Sequence, residues 1–245
     1  MPTRTPFFAV SLASFVALLA CAAVAEDPAP AAQPAASARR AAIELFNEKG
    51  APEGWTVRAW DDVSKPGPEE AKWTVDEQGV LHGSEPRGTW LVSDKEYGDF
   101  VLEFDWKLGE RGNSGCGIRF PAKGDPAFDG LEIQMADERY NEGRDGPDKL
   151  TASLYKAVAP TKQVYKPTEW NHYVITAKGS HIKVELNGQL VQDVNLDDHT
   201  QVLERNDGNK CPPLKDRPRR GHIGFQELSR GGAHVLIKNA KITEM

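Results

Sequence analysis

From residue 43 onward, apolar side chains recur at every second position rather than every third or fourth. Along residues 99–107, Phe100, Leu102, Phe104 and Trp106 share one face, and Val101, Glu103, Asp105 and Lys107 share the other. That is the period of a half-buried strand. In residues 115–120, Cys116, Ile118 and Phe120 point one way, Gly117 and Arg119 the opposite way. Leu131, Ile133 and Met135 alternate with Glu132 and Gln134. Residues 170–177 and 181–186 read as two more strands, and Asn187-Gly188 turns the chain into a return strand over 189–194, the signature of a type I′ hairpin. Residues 221–226 and 234–239 supply the last two strands. Gly and Pro punctuate these runs, and no long amphipathic helix interrupts them. The pattern predicts an all-β sandwich or barrel. Residues 136–167 break it; a loop that long in a compact domain is functional or conceals a strand, and residues 154–158 fit a concealed strand.

The one long apolar run lies elsewhere, at residues 7–20, after Arg4 and before small residues. A basic start, an apolar stretch and a small-residue exit make a secretory signal, with Ala23-Val24-Ala25 placing the cut before Glu26. The expected organisation is a signal over 1–25, an Ala/Pro-rich flexible tether over 26–42 and one folded domain over 43–245, secreted or periplasmic. Leu18-Leu19-Ala20-Cys21 offers an alternative, a lipoprotein signal with an N-terminal lipid anchor on Cys21. Charged residues make up 27% and hydrophobic ones 39% of the chain, which suits a folded core rather than disorder. The net charge is -6, with no basic block longer than Arg219-Arg220, and this argues against a nucleic-acid partner. Cys116 and Cys211 remain as an even pair once the signal is removed. Cys116 alternates within an apolar strand and reads as a small buried hydrophobe, with a Cys116–Cys211 disulfide as the alternative. No Cys-x-x-Cys or His-x-x-x-His spacing supports a structural zinc site, and no Gly-x-Ser-x-Gly elbow supports a serine hydrolase.

The polar halves of the strands carry the candidate chemistry. Glu103, Asp105, Arg119, Glu132 and Gln134 all oppose apolar partners. If their strands are neighbours, they converge on one polar patch; otherwise they form a solvated face with cross-strand ion pairs. Gly117 beside Arg119 leaves room for a ligand, and Asn113-Ser114 sits where a turn presents polar groups. His222 alternates with Gly224 and Gln226 and suits proton transfer near neutrality. His172 reads as a packing or hydrogen-bonding residue, and His82, His181, His199 and His234 as turn or strand-edge residues. Trp60 and Trp90 are the candidates for an aromatic stacking platform. Residues 138–149 and 206–220 are polar loops, readable as lid, calcium loop or plain solvated loop.

Several phrases, in order, resemble one family: Glu44-Leu-Phe-Asn, Gly54-Trp55, Trp73-Thr-Val, Gly79-Val-Leu-His-Gly83 and Glu96-Tyr-Gly-Asp-Phe100, then Gly112-Asn-Ser-Gly115, Gly130-Leu-Glu-Ile-Gln134, Ser153-Leu-Tyr, Val158-Ala-Pro160, Glu169-Trp-Asn171, Leu186-Asn-Gly188 and Gly221-His-Ile-Gly-Phe-Gln226. The set is similar to the 3-keto-disaccharide hydrolase domain and spans roughly residues 43–245. The resemblance implies a concanavalin A-like jelly-roll sandwich of two antiparallel sheets, and an extracytoplasmic bacterial protein acting on sugars oxidised at C3. Two departures stand out. Cys116 replaces a common aliphatic residue, and Glu-Leu-Ser-Arg-Gly-Gly follows Gln226 where an Asn/Asp-His-Gly turn is common.

Glu132-x-Gln134-x-x-Asp137 resembles the glucanase strand of three acids, with the middle acid replaced by an amide and the third shifted. Retaining hydrolysis needs two carboxylates about 5 Å apart, which this motif does not obviously supply. A 3-keto sugar needs less. Its ketone acidifies the C2 proton, and the enolate formed by removing that proton expels the group on C1. On this resemblance Glu132 is the expected base, and Arg119 with Gln134 steadies the enolate oxygen. His222 and Tyr155 are expected proton donors. Glu103, Asp105, Asn113, Asp137, Tyr155 and Gln226 are expected to bind the 3-keto glycoside. A divalent cation, calcium or similar, on Glu103, Asp105, Glu132 and Gln134 is the alternative to Arg119. Three other functions remain open: a lectin-like carbohydrate-binding module, an envelope interaction domain and an ordinary glycosidase.

Overall fold

The computed structural model describes residues 41–245. The expected signal, Cys21 and residues 26–40 of the expected tether lie outside the described residues. Fifteen strands follow in chain order among them: β1 (Ile43–Glu44), β2 (Trp55–Ala59), β3 (Thr74–Val75), β4 (Leu81–His82), β5 (Thr89–Tyr97), β6 (Phe100–Lys107), β7 (Asn113–Phe120), β8 (Leu131–Ala136), β9 (Asn171–Lys178), β10 (His181–Leu186), β11 (Gln189–Asn195), β12 (Leu203–Glu204), β13 (Lys210–Cys211), β14 (Gly221–Glu227) and β15 (Leu236–Glu244). One short helix, α1 (Pro126–Asp129), precedes β8. Its first turn is closed by Asp125, whose carboxylate accepts from the Ala127 amide at 3.0 Å.

The strands form two antiparallel sheets packed face to face. The larger has eight strands in the order β11-β10-β9-β6-β15-β4-β3, with β1 paired to β15. The smaller has five, β2-β5-β14-β7-β8, and β12-β13 form a separate hairpin. The fold is the jelly-roll sandwich. Its core takes Phe100, Leu102, Phe104 and Trp106 from β6 and Tyr173 and Ile175 from β9, against Cys116, Ile118, Ile133, Met135 and Phe225 from the smaller sheet. The alternation along β6 is as read from the sequence: Phe100, Leu102, Phe104 and Trp106 are all 0% exposed. Asn187 and Gly188 both take positive φ, 52° and 75°, as the primed turn between β10 and β11 requires.

The two sheets differ on their outer faces. Along β6 and β9 buried residues alternate with partly exposed ones, whereas every residue of β7 and β8 is buried. Loops therefore cover the outside of the smaller sheet, and that face is where a site is built. Residues 152–158 run along the β8 edge without becoming the expected regular strand. Tyr155 N donates to Glu132 O at 3.0 Å and Gln134 N to Ser153 O at 3.1 Å, but left-handed Ala152 and Lys156 (φ 70° and 56°) curl the segment. The last strand begins at Leu236 and continues to Glu244, later than the apolar run suggested. Cys116 and Cys211 are both free and buried, in different clusters, so the disulfide alternative falls.

The partition into sheets corrects one expectation directly. Glu103 and Asp105 lie on β6 in the larger sheet, and Glu132 and Gln134 on β8 in the smaller. They share an outward direction but not a face. Glu103 pairs with Lys241 at 3.2 Å. Asp105 accepts from Asn239 Nδ2 at 2.6 Å and meets His172 Nδ1 at 2.7 Å. These are cross-strand partners on the outer side of the larger sheet, away from any ligand-sized cavity with Glu132.

Candidate active site

The outer face of the smaller sheet is assembled from alternate residues of four strands. β8 contributes Glu132 and Gln134, β7 contributes Asn113, Gly115 and Gly117, β14 contributes Gly224 and Gln226, and β5 contributes Trp90 and Val92. The glycines are spatial requirements. A Cβ on Gly115 would collide with the Glu132 carboxyl, and one on Gly117 would lie 3.0 Å from the Phe120 ring and 3.1 Å from the Trp90 ring.

Loops turn this floor into a cavity of about 430 Å³. Asn113, Gln134 and Ala136 form its base, with Leu228 from the segment after β14. Trp60, Arg87 and Gly88 come from loops flanking β2 and β5. Tyr140, Asn141, Asp145 and Lys149 come from the polar loop 138–149, and Tyr155 and Asn206 complete the lining. That loop is thus a wall of the cavity. Arg87 Nη2 donates to Tyr140 Oη at 2.7 Å, and Tyr155 Oη to Asn206 Oδ1 at 3.4 Å. Trp60 is 39% exposed and fits a platform, whereas Trp90 is fully buried beneath it, donating its Nε1–H to the Trp60 carbonyl at 3.1 Å.

Glu132 stands out energetically. It is 3% exposed, and no hydrogen bond from another described residue reaches its carboxyl. Burial, and then the charge of Asp125, push it well above the usual carboxylate range. Asp125 is itself raised to about 7 by burial, with the Ala127 amide pulling the other way. Tyr155 is pushed up by burial and then by Glu132, so it remains a neutral hydrogen-bond donor. Asn113 Oδ1 is buried without a partner among the described residues. Unsatisfied buried acceptors are uncommon in a closed interior, and this one belongs to a residue that lines the cavity.

The other expected residues are placed elsewhere. Arg119 is 0% exposed and ties the sheet ends together. Its Nε donates to Gly98 O (2.8 Å), Nη1 to Gly179 O (2.6 Å) and Nη2 to Asp99 Oδ1 (2.9 Å). The cause is a bulge. Arg119 has φ 53°, and the register of β14 shifts between His222 and Gly224, so strict alternation ends there. Phe120 consequently turns outward to join Trp90, Val63 and Val92. His222 is at the start of β14, four residues from Gln226 and so about 13 Å up the strand. It lines a separate cavity of about 290 Å³ with Arg58, Asp94 and Val92, and its Nδ1 meets Ser93 O at 2.7 Å. Asp137 is fully buried as the N-cap of a 3₁₀ turn. Burial raises its carboxyl, but Arg139, at 2.7 and 2.6 Å, holds it lowered. Gln226 stays on the site face opposite Trp90, outside the cavity wall.

Of the expected residues, Asn113, Gln134, Tyr155 and Trp60 line the cavity; Glu132 shares the sheet face with Gln134 and packs its carboxyl over Gly115, but neither it nor Gln226 is part of that lining. The proposed cation ligands do not come together: Glu103 and Asp105 are on the other sheet. Among the described residues no three His, Cys, Asp or Glu side chains are grouped to hold a metal ion. The cavity residues Arg87, Tyr140, Asn141, Asp145, Lys149 and Asn206 sit in loops, where strand periodicity carries no signal.

The model of the 3-keto-alpha-glucoside-1,2-lyase-like domain matches residues 41–243. A comparison with curated proteins finds no match. Among solved structures, a Parabacteroides distasonis protein named as a glycosyl hydrolase is similar over 84% of this chain and 100% of its own, at 26% identity and TM-score 0.67. A second protein so named, from the same organism, is 25% identical over 83% of this chain and 94% of its own, at TM-score 0.61. The laminarinase of Rhodothermus marinus shares the fold at 14% identity and TM-score 0.50, over 84% of this chain and 96% of its own.

Proposed function

The chain belongs to the 3-keto-alpha-glucoside-1,2-lyase-like family, and from that premise we propose that it is a carbohydrate-active enzyme cleaving the C1–O bond of 3-keto glycosides. The observation that carries the reading is Glu132: one carboxyl, almost fully buried, held by no hydrogen bond from a described residue, on the sheet face that carries the Gln134 amide. A base with a raised pKa is a stronger proton acceptor once ionised. The C2 proton of the sugar passes to the Glu132 carboxylate, and the electron pair becomes an enolate on the C3 oxygen. Gln134 donates a hydrogen bond to that oxygen, Tyr155 does the same by turning its hydroxyl away from Asn206, and Asn113 accepts from a sugar hydroxyl. Collapse of the enolate forms the C1–C2 double bond and breaks the C1–O bond. The departing oxygen takes a proton from water, and Glu132 returns the C2 proton to the hydroxide so formed, which restores the carboxylate. Later addition of water across the double bond would make the net reaction hydrolysis. Trp60 offers a partly exposed ring for stacking.

The N-terminal run at residues 7–20 supports export from the cytoplasm. The test compares an aryl glucoside with its C3-oxidised form, using the purified protein. Aryl release from the 3-keto form alone is the expected result. Release from both forms would point to an ordinary glycosidase, and binding without release from either would leave a lectin-like module.

A further inference from the structure

Two cations line the cavity with no acidic partner among the described residues, Arg87 and Lys149. Some cations elsewhere are paired, such as Arg139 with Asp137 and Arg205 with Asp129; what sets Arg87 and Lys149 apart is that both line one cavity. Arg87 is also held in place. Its Nη2 donates to the Tyr140 hydroxyl at 2.7 Å, which leaves its other N–H donors unused. Arg230 lies over the same Tyr140 ring, 4.3 Å from the centroid, so a second guanidinium backs this corner. Lys149 ends the 3₁₀ turn Pro147–Lys149, and its backbone is fixed by the bond from its amide to Gly146 O at 3.0 Å. The one acid in the lining, Asp145, already has both oxygens bonded to Asn141 Nδ2 at 2.9 Å. A positive cavity on a chain of net charge -6 is a local departure from the overall charge.

These cations do not serve the base. A cation within about 4–6 Å of a carboxylate lowers its pKa. Glu132 is raised by burial and by Asp125, with no lowering by either cation. Arg87 and Lys149 therefore address a part of the ligand away from C2. We propose that the ligand carries an oxyanion (a carboxylate, sulfate or phosphate), received by Arg87 and Lys149 at the loop side of the cavity. This rests on reading the cavity as a 3-keto glycoside site and adds a charge requirement to it. The oxyanion has two sources: the sugar itself, oxidised at C6, or the leaving group.

The experiment separates binding from turnover. Full-length Glu132→Gln protein is titrated calorimetrically with three ligands: phenyl 3-keto-glucoside, its 4-carboxyphenyl analogue and phenyl 3-keto-glucuronide. One anionic ligand is expected to bind about tenfold tighter than the neutral one at low salt. The preference should shrink toward unity at about 1 M salt, and in Arg87→Met and Lys149→Met, while Lys149→Arg retains it. Which anionic ligand wins assigns the source of the charge. Equal or tighter binding of the neutral ligand, or binding of none, overturns the proposal. The 3-keto reading fails separately: wild-type protein would turn over none of the three, and their unoxidised counterparts would bind as well, with the charge preference intact.

Discussion

Glu132 sits where a carboxylate is least welcome, and that placement makes its protonation state measurable. No described residue hydrogen-bonds it, burial raises it, and Asp125 raises it further. With Glu132 as the base, Glu132→Gln should lower kcat on a 3-keto glucoside by about 10²–10⁴-fold. A loss under about threefold would remove Glu132 from the chemistry. The pH dependence has a definite sign. The active form is the carboxylate, so kcat/KM should rise with pH through a midpoint above the ordinary carboxylate range. Asp125→Asn keeps the side-chain cap of α1, because Asn caps as well as Asp, and removes the neighbouring negative charge. The rising limb should then move to lower pH. A limb that stays put would show that the two carboxyls are not coupled.

One residue of β7 decides which neighbours face the site. Alternation assigned Arg119 to the ligand face and Phe120 to the core, and the left-handed backbone at Arg119 reverses both. The guanidinium instead holds two carbonyls and Asp99 at the sheet ends. Arg119→Met should therefore destabilise the protein by about 2–3 kcal/mol, read by urea unfolding. It should leave kcat/KM nearly unchanged for the folded fraction; a large loss of kcat/KM at full folding would return Arg119 to the site. The strands, the hairpin at Asn187-Gly188 and the inward faces were legible because period two is a local signal. So was the shared outer face of Glu132 and Gln134, through strand position, while Asn113 and Tyr155, named from a turn and a family phrase, line the cavity. Which strands become neighbours was not legible, since pairing across the sandwich is non-local; Glu103 and Asp105 were misplaced for that reason alone. Arg87, Lys149 and Asn206 were invisible because loop residues have no period, and their convergence exists only after the sheet has formed.

At the scale of the molecule, the site costs stability, and the cost depends on pH. Glu132 and Asp125 both have folded pKa values above their unfolded ones. For a carboxyl of that kind the folded state binds more protons than the unfolded state, between the two pKa values. Its stabilising contribution is complete below the unfolded value, about 4, and is lost as pH rises through the folded value, which for Asp125 is about 7. Glu132→Gln removes one of these titrations and keeps the shape. The variant should equal wild type in stability near pH 4 and exceed it increasingly as pH rises through the folded pKa of Glu132. The gain should reach about 1–2 kcal/mol, seen in calorimetry as a higher Tm at pH 8 in an enzyme that no longer turns over. A buried carboxylate that was merely structural would have found partners, and its removal would destabilise the fold at pH 8. Stabilisation together with inactivity is the expected mark of a group placed against the interest of the fold, and a lower Tm for the variant at pH 8 would contradict that placement.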